Sequence, residues 1–158
     1  MRSLFILTAM FISLPVIAQE ERDTTLSRCP VYITDTASSN NFFIEGRSVV
    51  LKVYRMKGKL TIKVEQRDQF FTLYFHEKRL KNTTYKIKQG SKSRGEVEGA
   101  YTFKSGEQTS FVPVLKGTVE SIFDKEKNLW RLTVNGMIIN QVERIITHYR
   151  VKAVLFIK

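Results

Sequence analysis

The sequence has little of several residue types that mark familiar kinds of protein. Its 158 residues include one cysteine, two histidines, three prolines and eight glycines. A single cysteine excludes a disulfide-stapled mini-protein and a multi-cysteine zinc or iron–sulfur site. The low proline and glycine content excludes collagen-like and Pro/Gly-rich disordered chains. The length is typical of one domain.

Long apolar runs are also rare, and the longest one lies at the beginning. Arg2 is the only charged residue before position 19, and residues 4–17 carry no charge. Val16 and Ala18 are side chains of the size expected before a signal-peptidase cleavage site. The run is shorter than the roughly twenty residues that span a bilayer. We therefore expect residues 1–18 to be a signal peptide, and the mature chain to be periplasmic or extracellular without a transmembrane helix.

After this leader the composition and residue pattern of the sequence change twice. Residues 19–47 are rich in Thr, Ser and Asn, which predicts a mostly irregular lead-in with one short strand near residues 31–33. From residue 48 onward, β-branched and aromatic residues alternate with polar ones. Alternation with period two indicates half-buried strands, whereas a helix needs apolar residues three and four apart. We expect residues 48–158 to form one antiparallel β domain.

The turns of this domain can be placed from local signals. Residues 124–128, Asp-Lys-Glu-Lys-Asn, separate two long alternating runs. Asn135-Gly136 is a competing two-residue hairpin signal, but we favour the long hairpin centred on Lys125 and Glu126. Pro113 has no N–H for a ladder and therefore marks an edge position or a bulge. Eight or nine strands with short connections predict an all-β fold, either a sandwich or a partly open barrel.

A set of short segments between residues 48 and 158 carries a resemblance to a known group of proteins. The segments are GKLTIKV (58–64), FTLYF (71–75), NTTYKI (82–87), GAYTF (99–103), GTVESI (117–122), RLTV (131–134) and AVLFIK (153–158). Together with the Ala18-Gln19 junction they resemble small exported all-β domains of unknown function from Bacteroidota. The resemblance implies a calycin-like or sandwich-like fold and assigns no functional residue. Cys29 does not follow the apolar run directly, so the lipid-attachment cysteine of many such proteins is absent.

No arrangement of residue types in the sequence predicts catalysis or a bound metal. The two histidines, His76 and His148, are far apart and have no nucleophile motif near them. A metal site needs three or four clustered ligands. Glu96 and Glu98 lie two apart on a predicted strand, at a separation that a two-carboxylate glycosidase can use. We interpret both as surface residues facing cross-strand lysines, and we expect neither an enzyme nor a cofactor.

Charge is the feature that stands out. The formal net charge is +11, and it is concentrated in two windows. Residues 47–63 hold six basic residues and no acidic one, and residues 76–94 hold seven basic residues and one glutamate. The second window is our candidate anion-binding site, and its basic members are Lys78, Arg79, Lys81, Lys86, Lys88, Lys92 and Arg94.

The compartment and the fold class narrow the candidate partners. An uneven positive field attracts anions over long range. No nucleic-acid-binding signature is present, and an exported protein rarely meets nucleic acid. The partner expected is an anionic envelope component, which is a lipid head group, lipopolysaccharide or an acidic glycan. The alternative is that the charge only keeps the sheet soluble.

A second hypothesis concerns the interior instead of the surface. The chain has eleven phenylalanines, nine of them after the leader. In a closed or nearly closed barrel these side chains can line a cavity for a small apolar ligand. An interior void above about 300 Å³ supports such a carrier, whereas a solid core excludes it.

Overall fold

The computed structural model describes residues 21–26, 31–38, 41–44, 49–56, 58–90, 92–142 and 144–158. None of the described residues is helical. The strands are β1 (Glu21–Leu26), β2 (Val31–Asp35), β3 (Asn41–Ile44), β4 (Val49–Met56), β5 (Lys59–Gln66), β6 (Gln69–Phe75), β7 (Thr83–Lys88), β8 (Glu96–Ser105), β9 (Gln108–Asp124), β10 (Leu129–Val142) and β11 (Ile145–Ile157). The prediction of an all-β fold is confirmed.

All of these strands belong to one sheet that curls into a half-barrel. Their order is β1-β4-β5-β6-β8-β7-β9-β10-β11-β2-β3, with an additional pairing between β8 and β9. At the far edge, β3 approaches β5 and β6 from across the interior. The segment interpreted as a lead-in supplies three of the strands, and two of them, β1 and β3, are the edges of the sheet. The leader and Cys29 lie outside the described residues.

The long hairpin near the C-terminal end forms as expected. β9 and β10 pair from Asp124–Leu129 through Gly117–Gly136, so the chain does not turn at Asn135-Gly136. Their register shifts at Met137/Ile138, where Leu115 is an extra residue on β9. The last pair is Val114–Ile138. Pro113 lies directly beyond this pair. It pairs with Ala100 on β8, and its other side, towards β10, is a local edge, as expected for a residue without an N–H.

One pairing departs from the antiparallel pattern. β7 lies between β8 and β9 and runs parallel to β8 over the pairs Lys86–Glu96 and Ile87–Val97. β8 therefore pairs with β7 near one end and with β9 near the other. At the point where β9 leaves β8, the Gln89 side-chain amide donates hydrogen bonds to the carbonyls of Gly99 (2.8 Å) and Val114 (3.0 Å). This amide satisfies backbone groups at the split.

The interior is filled at one end of the half-barrel. Tyr85 and Phe75 are fully buried there, and their rings meet edge-to-face with centroids 5.0 Å apart. Around them lies a continuous apolar core that every strand from β4 to β11 supplies, together with β2. We call this the closed end. The opposite end carries the turns that follow β5, β8 and β10, and we call it the open end.

Candidate functional site

The seven basic residues of the candidate anion-binding site are all exposed, but they lie on three different elements. Two are on the outer surface of β7, where exposed and buried residues alternate from Thr84 to Lys88. The other five are on the loops before and after it. The loop 76–82 carries Lys78, Arg79 and Lys81, β7 carries Lys86 and Lys88, and the loop 89–95 carries Lys92 and Arg94.

Glu77 neutralises part of the positive charge of the loop 76–82. One of its carboxylate oxygens lies 2.6 Å from Lys81 Nζ, and the other accepts a hydrogen bond of 3.2 Å from the backbone N–H of Gly95. The Lys78 carbonyl accepts a hydrogen bond of 2.9 Å from Arg55 Nε. These contacts tie the loops on either side of β7 together. The charge of Lys81 is therefore paired with that of Glu77, and Lys81 contributes less than Lys86 to the positive electrostatic potential outside the sheet.

The strand register adds basic residues that are far away in sequence. Lys88 lies directly opposite Lys116 on β9, and Lys116 lies opposite Met137, which lies opposite Arg150 on β11. This arrangement forms one row across four strands on the outer surface. Like charges that face each other across strands are unfavourable. Glu96, whose carboxylate is 3.6 Å from Lys88 Nζ, reduces the repulsion.

A second row runs beside the first. Lys86 lies opposite Thr118, which is followed by Asn135 and then by Lys152. The two rows are two residues apart along each strand, which is about 7 Å. We define the basic face as the five cations of these rows, which are Lys86, Lys88, Lys116, Arg150 and Lys152. Sequence reasoning found the first two and missed the last three as members, because only the register brings them together.

Of the carboxylates and histidines that the sequence singled out, Glu96, Glu98 and His148 lie on the outer surface, and the His76 side chain is largely buried. Glu96 has Lys88 as its partner, and Glu98 lies 3.3 Å from His76 Nε2. The His76 side chain is only 8% exposed. His148 is exposed, and its carbonyl accepts hydrogen bonds from the backbone and hydroxyl of Thr36, both 3.0 Å.

A cleft of about 730 Å³ opens into the interior at the open end. It lies between the β8–β9 hairpin on one side and the β10–β11 hairpin on the other. Ile33 and Ile138 form a buried apolar floor, and Tyr101, Phe103 and Tyr149 supply aromatic walls. The rest of the lining is Val112 and the polar residues Gln66, Arg67, Asp68, Gln69, Lys104, Ser105 and Asn140.

The polar groups of the cleft are placed around its aromatic wall. The Tyr101 hydroxyl donates a hydrogen bond of 3.0 Å to Gln69 Oε1. Burial raises the pKa of Tyr101, so this hydroxyl keeps its proton further into the alkaline range than an exposed tyrosine does. An apolar floor with a few fixed hydrogen-bonding groups is the usual composition of a small-molecule site.

Two further observations bear on the kind of site. Among the described residues, no group of three or more His, Cys, Asp and Glu side chains is placed to hold a metal ion. In the same part of the chain, no helix has the length and hydropathy to cross a bilayer. No protein-family model, curated protein or solved structure matches this chain. The candidate sites are therefore argued from geometry alone.

Proposed function

We propose that this chain is an exported, non-catalytic binding module that contacts an anionic partner in the cell envelope through its basic face. The observation that supports this most is the register, which places five cations on two neighbouring rows of one sheet surface. Lys92 and Arg94 lie on the loop that adjoins these rows. Three acidic residues lie on the same surface, Glu96 and Glu98 on β8 and Glu120 on β9, and they cancel only part of the positive charge of the five cations.

The physical basis is an electrostatic attraction that does not depend on a single contact. Several cations on a rigid sheet raise the local concentration of a polyanion and speed its association. Interactions between exposed charges weaken as salt shortens the Debye length to about 10 Å at 0.1 M. Binding of this kind is therefore expected to be strong at low salt and to fall steeply as salt rises.

The first prediction compares two triple charge reversals. K86E/K116E/K152E reverses three cations of the basic face, and K59E/K125E/K158E reverses three exposed lysines elsewhere, so both variants have the same net charge. On immobilised heparin, we expect the first variant to lose at least about tenfold in affinity because neighbouring charges act together. The second variant should lose much less. Equal losses in the two variants would show that only net charge matters and would contradict the proposal.

The cleft supports a second candidate function, which is to carry a small, mostly apolar molecule. Its volume exceeds the roughly 300 Å³ at which pockets begin to enclose small ligands. The half-barrel is open at this end, so a ligand has a path to the floor formed by Ile33 and Ile138. The Gln69 and Asn140 amides at the rim favour a molecule with at least one hydrogen-bonding group.

The second prediction fills the cleft. Val112→Trp places an indole against the floor and is expected to weaken binding of a fluorescent fatty-acid analogue at least about tenfold, because the ligand and the new ring need the same volume. Val154→Trp, on the outer surface of β11, is the matched control and should bind the analogue like the parent protein. Thermal melts show whether both variants fold. Unchanged binding by a folded Val112→Trp variant would exclude the cleft as the site.

A further inference from the structure

Four large apolar side chains are exposed at the open end of the half-barrel. Ile145 is 70% exposed, Phe111 59%, Ile146 56% and Leu115 40%. Single exposed apolar residues are common on protein surfaces, whereas a group of them marks a contact surface. These residues come from two strands, β9 and β11, and their grouping depends on the fold. We refer to them as the apolar tip.

The shape of the sheet makes this group protrude. β10 and β11 pair with each other as far as Val142–Ile145. The ladder between β9 and β10 has already ended at Ile138, and that between β2 and β11 ends at Tyr149. Within the described residues, the segments 140–142 and 145–147 therefore pair only with each other. They form a two-stranded ribbon that extends beyond its neighbours and presents Ile145 and Ile146 at its end.

The β9 residues belong to the β8–β9 hairpin, which diverges from this ribbon at the cleft. Phe111 precedes Val114 by three residues, and Gln141 follows Ile138 by three residues on the antiparallel partner. Phe111 and Gln141 are therefore equally far in sequence from the last pair, one on each side of the cleft, and Gln141 is the cross-strand neighbour of Ile146. Leu115 is the extra residue of the bulge, which breaks the alternation and leaves its side chain exposed.

The basic face lies behind the apolar tip and shares its two strands, β9 and β11. Lys116 follows Leu115 in the chain, and Arg150 lies four residues beyond Ile146 on β11. Arg144, also exposed, is in the turn at the end of the ribbon, while Glu143 of the same turn is outside the described residues. Apolar residues at the extremity with cations behind them match the order of layers in an anionic bilayer, where acyl chains lie below charged head groups.

We propose that the anionic partner is a lipid bilayer, and that the apolar tip inserts into its interface while the basic face contacts the head groups. This inference rests on the proposed anion contact and names the partner for it. A soluble polyanion is attracted by the same cations but gives the protruding isoleucines no apolar surroundings. The bilayer provides both kinds of contact at once. In this orientation the cleft opens towards the membrane.

The first arm of the test follows a single tryptophan. The natural chain has one, Trp130, whose ring packs on Phe123 at the closed end. In a W130F background, Ile145→Trp is expected to shift its emission to the blue when vesicles of phosphatidylcholine with one third phosphatidylglycerol are added. Val154→Trp in the same background should not shift. No shift at position 145, in a variant that circular dichroism shows to be folded, would overturn the proposal.

The second arm separates this inference from the proposed function. I145S/I146S is expected to bind these vesicles at least about tenfold more weakly, because the apolar contribution is lost, and to be retained on heparin like the parent protein. Ile122→Ser, an exposed isoleucine nearer the closed end, is the control. If the parent protein is retained on heparin but does not bind the vesicles, the bilayer is not its partner, and the proposed anion contact still stands. Vesicle binding that is indifferent to I145S/I146S overturns the tip insertion. If K86E/K116E/K152E keeps both its retention on heparin and its binding to vesicles, the proposed function itself is wrong.

Discussion

Replacing Gly117 with alanine is expected to lower the free energy of unfolding by about 3–5 kcal/mol, a large share of the stability of a domain this size. Gly117 has a φ of 144°, in a region that L side chains rarely adopt. It pairs directly with Gly136 across β9 and β10. A Cβ at position 117 would lie 2.1 Å from the Asn135 carbonyl oxygen and 2.6 Å from the Gly136 Cα. Both obstacles are backbone atoms of the neighbouring strand, so the strands must separate to admit it.

The measurement is the urea midpoint of the purified variant, with Gly106→Ala as its control. Gly106 also has a positive φ, 59°, but a Cβ at this position would have no other atom within 4 Å. Alanine there costs only the left-handed backbone, about 1–2 kcal/mol. If Gly117→Ala is no less stable than Gly106→Ala, the close approach of β9 and β10 at this pair is wrong.

Replacing Tyr85 with alanine is expected to cost about 3–5 kcal/mol, because it leaves a cavity in the core at the closed end. Tyr85 is fully buried, and its ring meets that of Phe75 edge-to-face. Its hydroxyl oxygen accepts a hydrogen bond of 3.1 Å from the backbone N–H of Lys81. Tyr85 thus fixes β7 against β6 and also holds the loop that precedes β7.

Tyr85→Phe separates these two roles. It keeps the ring and removes the hydrogen bond, so we expect a loss of about 1 kcal/mol. Chemical denaturation of both variants gives the comparison. If the two cost the same, the ring packing at the closed end contributes little and this description of the core is wrong.

Tyr85 also predicts a dependence on alkaline pH. Burial raises its pKa, with Glu77 adding to the effect, while the hydrogen bond from Lys81 lowers it. Above about pH 10 the unfolded chain loses the tyrosine proton while the folded chain keeps it. The folded state then binds more protons, so the free energy of unfolding falls as pH rises. The slope should be smaller in Tyr85→Phe.

Local pattern predicted much of the sheet. The strands β4, β5 and β6 lie in the region where alternation with period two was expected from residue 48 onward, and the structure has them as an antiparallel meander. Pattern missed what depends on distant partners. β1 and β3 are short and polar or flanked by polar residues, so they have no period of their own, and each is a strand only because β4 or β2 offers it a hydrogen-bonding edge.

The candidate sites divide in the same way. Charge density along the chain indicated Lys86 and Lys88, because neighbouring residues on one strand are easy to group. Lys116 and Arg150 are isolated in sequence and join them only through the ladders of β7, β9, β10 and β11. The cleft and the apolar tip are even harder to recognise in the sequence, because both form where the β8–β9 and β10–β11 hairpins diverge.

By itself the sequence determined that this chain forms strands, where most of them turn, and which of their two surfaces is apolar. Those properties are set within a few residues by side-chain alternation and by the backbone preferences of turn residues. Only the tertiary structure decided which strands are neighbours, that β7 enters between β8 and β9, and that the barrel remains open at one end. Backbone hydrogen bonds between strands are the same for every residue type, so the choice of neighbour depends on how the whole interior packs.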